Sequence, residues 1–132
     1  MTLQADSTTR NSWLTTLNTN VGINALLDIY TGAQEANCGA APTGTLLATL
    51  TCNVGAFGDV AAGVLTARAI TAATAGATGA AGHFRLRDSG GATVHLQGTV
   101  AVAAADLNIT NTSIAIGDTV NVSSWTITAP GA

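Results

Sequence analysis

The chain has no lysine, a single glutamate, four arginines and two histidines in 132 residues, and only 8% of its positions are charged. Proteins that bind nucleic acid use clustered cations to displace counterions from phosphates, and four arginines against a net charge of −3 cannot supply them. Nucleic acid is therefore not expected as a partner. Apolar runs are also short: no stretch approaches the ~18 consecutive apolar residues of a spanning helix, and the mild segment from Ala67 to Ala81 is diluted by Thr, Gly and Arg68. A membrane is not expected either. The opening MTLQADSTTR places acid before base and lacks an apolar core, the reverse of a secretory leader, so synthesis in a cytoplasm is the expectation. In that compartment Cys38 and Cys52 are expected as free thiols. The triplets at Asn108, Asn111 and Asn121 resemble glycosylation sequons, but nine Asn and 28 Ser or Thr make such triplets ordinary.

What the chain does have is small residues: 26 Ala, 22 Thr and 15 Gly, nearly half of the total. Hydrophobic residues make up 47%, well outside the range of disordered chains. At this length a single domain can bury roughly two thirds of its unfolded surface around one core.

One segment carries helical periodicity. Trp13, Leu14, Leu17 and Val21 recur at three- and four-residue spacing, after possible caps at Asp6 to Thr9 and before a stop at Gly22. Asn18, Thr19 and Asn20 are weak helix formers, which predicts a short helix. The rest alternates in strand fashion. ALLDIY (Ala25 to Tyr30) ends at Thr31-Gly32, a loop from Ala33 to Gly44 holds Cys38 and Pro42, and TLLATLT (Thr45 to Thr51) follows. Gly55, Gly58 and Gly63 punctuate a turn region before VLTARAIT (Val64 to Thr71). The low-complexity stretch Ala72 to Gly82 fits either a loop or a closely packed segment.

The segment Gly82 to Val100 reads as a hairpin. Phe84 and Leu86 alternate with His83, Arg85 and Arg87, and Val94 and Leu96 alternate with Thr93, His95 and Gln97. Placing both apolar sets on one face with a Ser89-Gly90-Gly91 loop pairs Leu86 with Val94 and Phe84 with Leu96. Arg85 then faces His95 on an outward polar face. Downstream come DLNIT, the Ile114 and Ile116 pair, and TVNVSSWTIT, in which the apolar phase switches at Ser123-Ser124. Such a switch marks a bulge or a bend between sheets. About eight short strands after one helix predict an all-β fold, an antiparallel β-sandwich of jelly-roll type. The expected organisation is a polar N-terminal arm, residues 1–10, and a single sandwich domain, residues 11–132.

Chemistry-bearing patterns are sparse. His83 and His95 sit among arginines with no carboxylate placed to orient a tautomer, although Asp88 lies at the hairpin end. Cys38, Cys52, His83 and His95 lack zinc spacing, and Asp59, Asp88, Asp106 and Asp118 each stand beside a turn, as turn-capping aspartates do. No catalytic, metal or cofactor site is expected. A charge-poor surface of Thr, Asn, Ala and Gly suits assembly better than dispersal.

The runs ALLDIYTGAQ, TGTLLATLT, LTARAIT, AGHFRLRDSGGATVHLQGTV and DLNITNTSIAIGDTVNVSSWTIT, in this order, resemble a group of small proteins encoded among the structural genes of tailed bacteriophages. The resemblance implies a virion component, most plausibly a cement or decoration protein on the outer capsid surface, with a jelly-roll or related β fold. Its implied partners are the major capsid protein and copies of itself, as a dimer or trimer. A tail or fibre component that binds glycans is the alternative. On the cement reading the candidate contacts between subunits are Arg10, His83, Arg85, Arg87, His95 and Gln97, with the N-terminal arm ordering against a neighbour.

Overall fold

The computed structural model describes residues 3–52, 57–68 and 70–129. The turn signal at Gly55, the side chain of Asp59 and the first two residues of the expected arm lie outside the described residues. A single helix, α1 (Ser7–Val21), is followed by strands. The Asp6 carboxylate accepts the Thr9 N–H at 2.7 Å, and Gly22, at φ +71°, closes the other end by donating its N–H to the Asn18 carbonyl at 3.1 Å. Arg10, Leu14 and Val21 form the buried stripe, with Leu17 packed beside it, whereas Trp13 is 45% exposed. The helix is longer than propensity predicts because this stripe packs against the strands, and tertiary burial outweighs propensity.

Residues 7–10, the last of the expected arm, form the first turn of α1. Arg10 lies one turn before Leu14 and so points inward, where Nε and Nη2 donate to the Ala129 carbonyl at 3.3 and 3.1 Å. It is 8% exposed and is not an open contact residue.

The strands are β1 (Leu26–Thr31), β2 (Leu46–Thr51), β3 (Phe57–Ala61), β4 (Val64–Ala67), β5 (Ala73–Thr74), β6 (Gly79–Arg87), β7 (Val94–Ala101), β8 (Leu107–Ile109), β9 (Ser113–Ile114), β10 (Thr119–Val120), β11 (Val122–Ser124) and β12 (Thr126–Thr128). The chain is thus mostly strand with one helix. The main sheet runs β11-β8-β7-β6-β1-β2, with β9 on the end of β6; β12-β4-β3 and β10-β5 form smaller sheets. It is not wholly antiparallel: β7 and β8 pair in parallel. Only two residue pairs overlap there, so the connecting loop, residues 102–106, has to step back only ~7 Å before the chain resumes its direction. The Asp106 carboxylate fixes that loop by accepting the Thr99 N–H at 2.9 Å.

One face of the main sheet is apolar: Leu27, Ile29, Leu50, Phe84 and Leu86 are all essentially inaccessible. Trp125, at the junction where the chain leaves β11 for β12, packs against Phe84 and Phe57 with ring centroids 5.2 and 4.9 Å apart. The phase switch at Ser123-Ser124 is therefore a passage between sheets, since β11 pairs with β8 and β12 with β4.

The β6–β7 hairpin keeps Phe84, Leu86 and Leu96 on one face but in a different register, and it moves Val94 opposite Arg87 on the other face. Leu86 pairs with Leu96, Phe84 with Gly98 and Arg85 with Gln97, with a bulge before Arg87↔Val94. The turn is longer than three residues because Asp88 closes it. Its backbone carbonyl accepts the Gly91 N–H at 2.9 Å and its carboxylate the Ala92 N–H at 3.1 Å.

Candidate functional site

Strand alternation assigns the second face of the main sheet to polar residues. Asp28 pairs with Arg85 and with Thr49, Tyr30 with His83, and Arg85 with Gln97, so these side chains share one surface. The sequence places this face outside. The structure instead covers it with the chain's own loop, residues 32–45, and His83 and Arg85 are 0% and 3% exposed. Neither therefore lies on an open outer face. The physical reason is that Gly32, at φ +80°, turns the chain back over the sheet, where the polar side chains satisfy the loop's backbone.

Three polar side chains pin the loop. His83 Nδ1 lies 3.0 Å from the Gly32 carbonyl, which can only accept, so Nδ1 carries the hydrogen; the ring stacks on Tyr30 at 5.3 Å and 11°. Arg85 Nη2 donates to the Cys38 carbonyl at 2.6 Å, and Gln97 Nε2 donates to the Glu35 carbonyl at 2.8 Å. Within the loop the Glu35 carboxylate accepts the Thr43 N–H at 2.8 Å and the Thr43 hydroxyl at 3.0 Å, and these bonds hold its pKa below the ordinary value.

Beside the pins, Arg87 Nη2 donates to Asp28 Oδ1 at 3.0 Å, and its Nε stands 2.6 Å from Oδ2 as an ion-pair contact. Asp28 is 1% exposed and also accepts the Thr49 hydroxyl at 2.7 Å. Burial, reinforced by the nearby Asp28 charge, pushes the Tyr30 phenol above its ordinary pKa. His95 lies at the hairpin end with Nε2 3.8 Å from Asp88, beyond hydrogen-bond reach.

Five of the six sequence-predicted residues thus belong to β6 and β7, and four of them, His83, Arg85, Arg87 and Gln97, bond to the loop, the hairpin turn or Asp28. Arg10 belongs to a separate cluster with Ala129 and Gly63. Asp28, Tyr30, Thr49 and Glu35 were missed. Asp28 had a legible signal, a lone acid inside LLDIY, but its partner Arg87 is 59 residues away. Among the described residues no group of three His, Cys, Asp or Glu side chains could hold a metal ion. Comparison with family descriptions, curated proteins and solved structures finds no match to this chain.

Proposed function

We propose that the protein is a structural virion component, a cement or decoration protein that binds the outer surface of a phage capsid lattice and acts by adhesion without turnover. One observation carries this reading: nine charged groups among the described residues serve the chain's own architecture. Asp6 caps the helix, Asp88, Asp106 and Asp118 close turns, Glu35 ties the loop, and Arg10, Arg85 and the Arg87–Asp28 pair hold segments together. What faces solvent is largely Thr, Ala, Asn and Gly, with Leu3, Trp13, Ile23, Leu46, Val102 and Ile116 exposed among them. Such a surface offers little like-charge repulsion to neighbours, and association there relies on apolar burial and backbone hydrogen bonds.

The apolar face of the main sheet, closed by Trp125 and Phe57, supports a sandwich-like reading of the fold. The glycan-binding alternative is less favoured, because Tyr30, Phe57, Phe84 and Trp125 are buried and Trp13 alone among the aromatics is exposed. Mass spectrometry of separated heads and tails tests the proposal. Stoichiometric recovery with heads is expected, and absence from assembled particles overturns it.

A further inference from the structure

We propose that the cleft between the loop 32–45 and the polar face of the main sheet binds a single carboxylate through Arg85, with the Tyr30 hydroxyl as a second donor. Arg85 is 3% exposed, and no carboxylate pairs with it among the described residues. Its Nη2 is held by Cys38, whereas its Nε is buried without a hydrogen-bond partner. A buried guanidinium left in this state is costly unless an anion completes it. Asp28, opposite on β1, is instead bonded to Arg87 and Thr49 and forms no ion pair with Arg85.

Arg85 also lines two cavities, of about 280 and 310 Å³. The larger has a polar floor of Tyr30, Arg85 and Arg87 and an apolar rim of Pro42, Leu46 and Val94. Two arginines and one aspartate leave one net positive charge, which matches a monoanion, and Asp28 in the wall repels a dianion such as phosphate. The planar guanidinium fits a planar carboxylate, and the rim suits a short apolar body behind it. The phenol, protonated at neutral pH as any tyrosine is, donates. The inference stands apart from the virion reading, because it concerns only the charge and shape of this cleft.

The test is a titration of the intact protein with propionate at constant ionic strength, following the arginine Nε–H resonances by NMR, with inorganic phosphate as the comparison. A saturable shift of the Arg85 resonance is expected with propionate, and a response at least tenfold weaker with phosphate. Leu46→Trp, which enlarges a side chain lining the cavity and leaves Arg85 itself in place, is expected to weaken propionate binding at least tenfold, and Tyr30→Phe severalfold. Arg85→Gln should abolish it; if that variant does not fold, Leu46→Trp decides. A blocked peptide with one glutamate distinguishes the source: tighter binding than propionate identifies a partner's side chain, weaker binding a free small acid, and either supports the site. No saturable shift, an unchanged response in Leu46→Trp, or preference for phosphate overturns it.

Discussion

Arg10 shows how one side chain can join distant parts of a charge-poor chain. Its guanidinium bonds to Ala129, 119 residues away, and lies against Gly63, so close that a Cβ at Gly63 would overlap it. Gly63 also has φ +73° and follows Ala62 at φ +50°, the two positions of a tight hairpin turn between β3 and β4. Gly63→Ala is expected to cost about 3 kcal/mol, combining overlap with left-handed strain. Arg10→Ala should cost ~1–3 kcal/mol through its lost hydrogen bonds. In the double variant the Gly63→Ala penalty should fall to ~1–2 kcal/mol, leaving only the strain. Urea unfolding of the four proteins measures this, and simple additivity refutes the contact. Cys52 gives a second prediction at this scale. Burial removes its accessibility and pushes its thiol up to about 11, while Cys38 is partly exposed. An aromatic disulfide reagent at pH 8 should therefore label one thiol per native chain and two after unfolding.

At the scale of elements, two carboxylates tie backbone in place, Asp6 at the helix start and Glu35 in the covering loop. Hydrogen bonds from Thr9 and Thr43 lower both pKa values. A group whose pKa is lowered on folding contributes stability above its unfolded value and loses that contribution as pH falls through the folded one. Stability should thus be flat between pH 5 and 7 with respect to these groups and decline below about pH 4. Asp6→Asn keeps a capping side chain but removes the titration, and Glu35→Gln does the same in the loop. Each should make the acid limb shallower in thermal melts taken across this range. An unchanged limb in both variants would show that neither bond matters to folding.

For the whole molecule, assembly is the relevant scale. A cement protein stabilises a shell by its binding free energy repeated at every equivalent site, so modest contacts become large together. Shells reconstituted with the protein should disassemble at a higher temperature than bare shells, as differential calorimetry would record. Placing a charge on the exposed apolar surface, as in Trp13→Glu, should reduce binding to shells without changing the unfolding midpoint. That residue is 45% exposed and lies outside the buried stripe of Arg10, Leu14 and Val21. Reduced binding together with lost stability would point instead to a folding role for Trp13.

Local patterning determined a good part of this protein. A helix start within Asp6 to Thr9 and its stop at Gly22, the strand identities around Leu27 and Phe84, the shared apolar face of Phe84, Leu86 and Leu96, and the break in phase at Ser123-Ser124 all follow from periodicity and turn chemistry. Tertiary structure alone decided the rest. Alternation says that His83, Arg85 and Gln97 share a face, but not whether water or another part of the chain lies over it, and here a loop whose contacts lie 47 to 62 residues upstream does. The hairpin register moved by two residues because an Asp88 side chain and a bulge, neither visible in hydrophobic phase, lengthened the turn. Polar pairs such as Asp28 with Arg87 depend on which strands become neighbours, and that is settled by burial of the whole sheet.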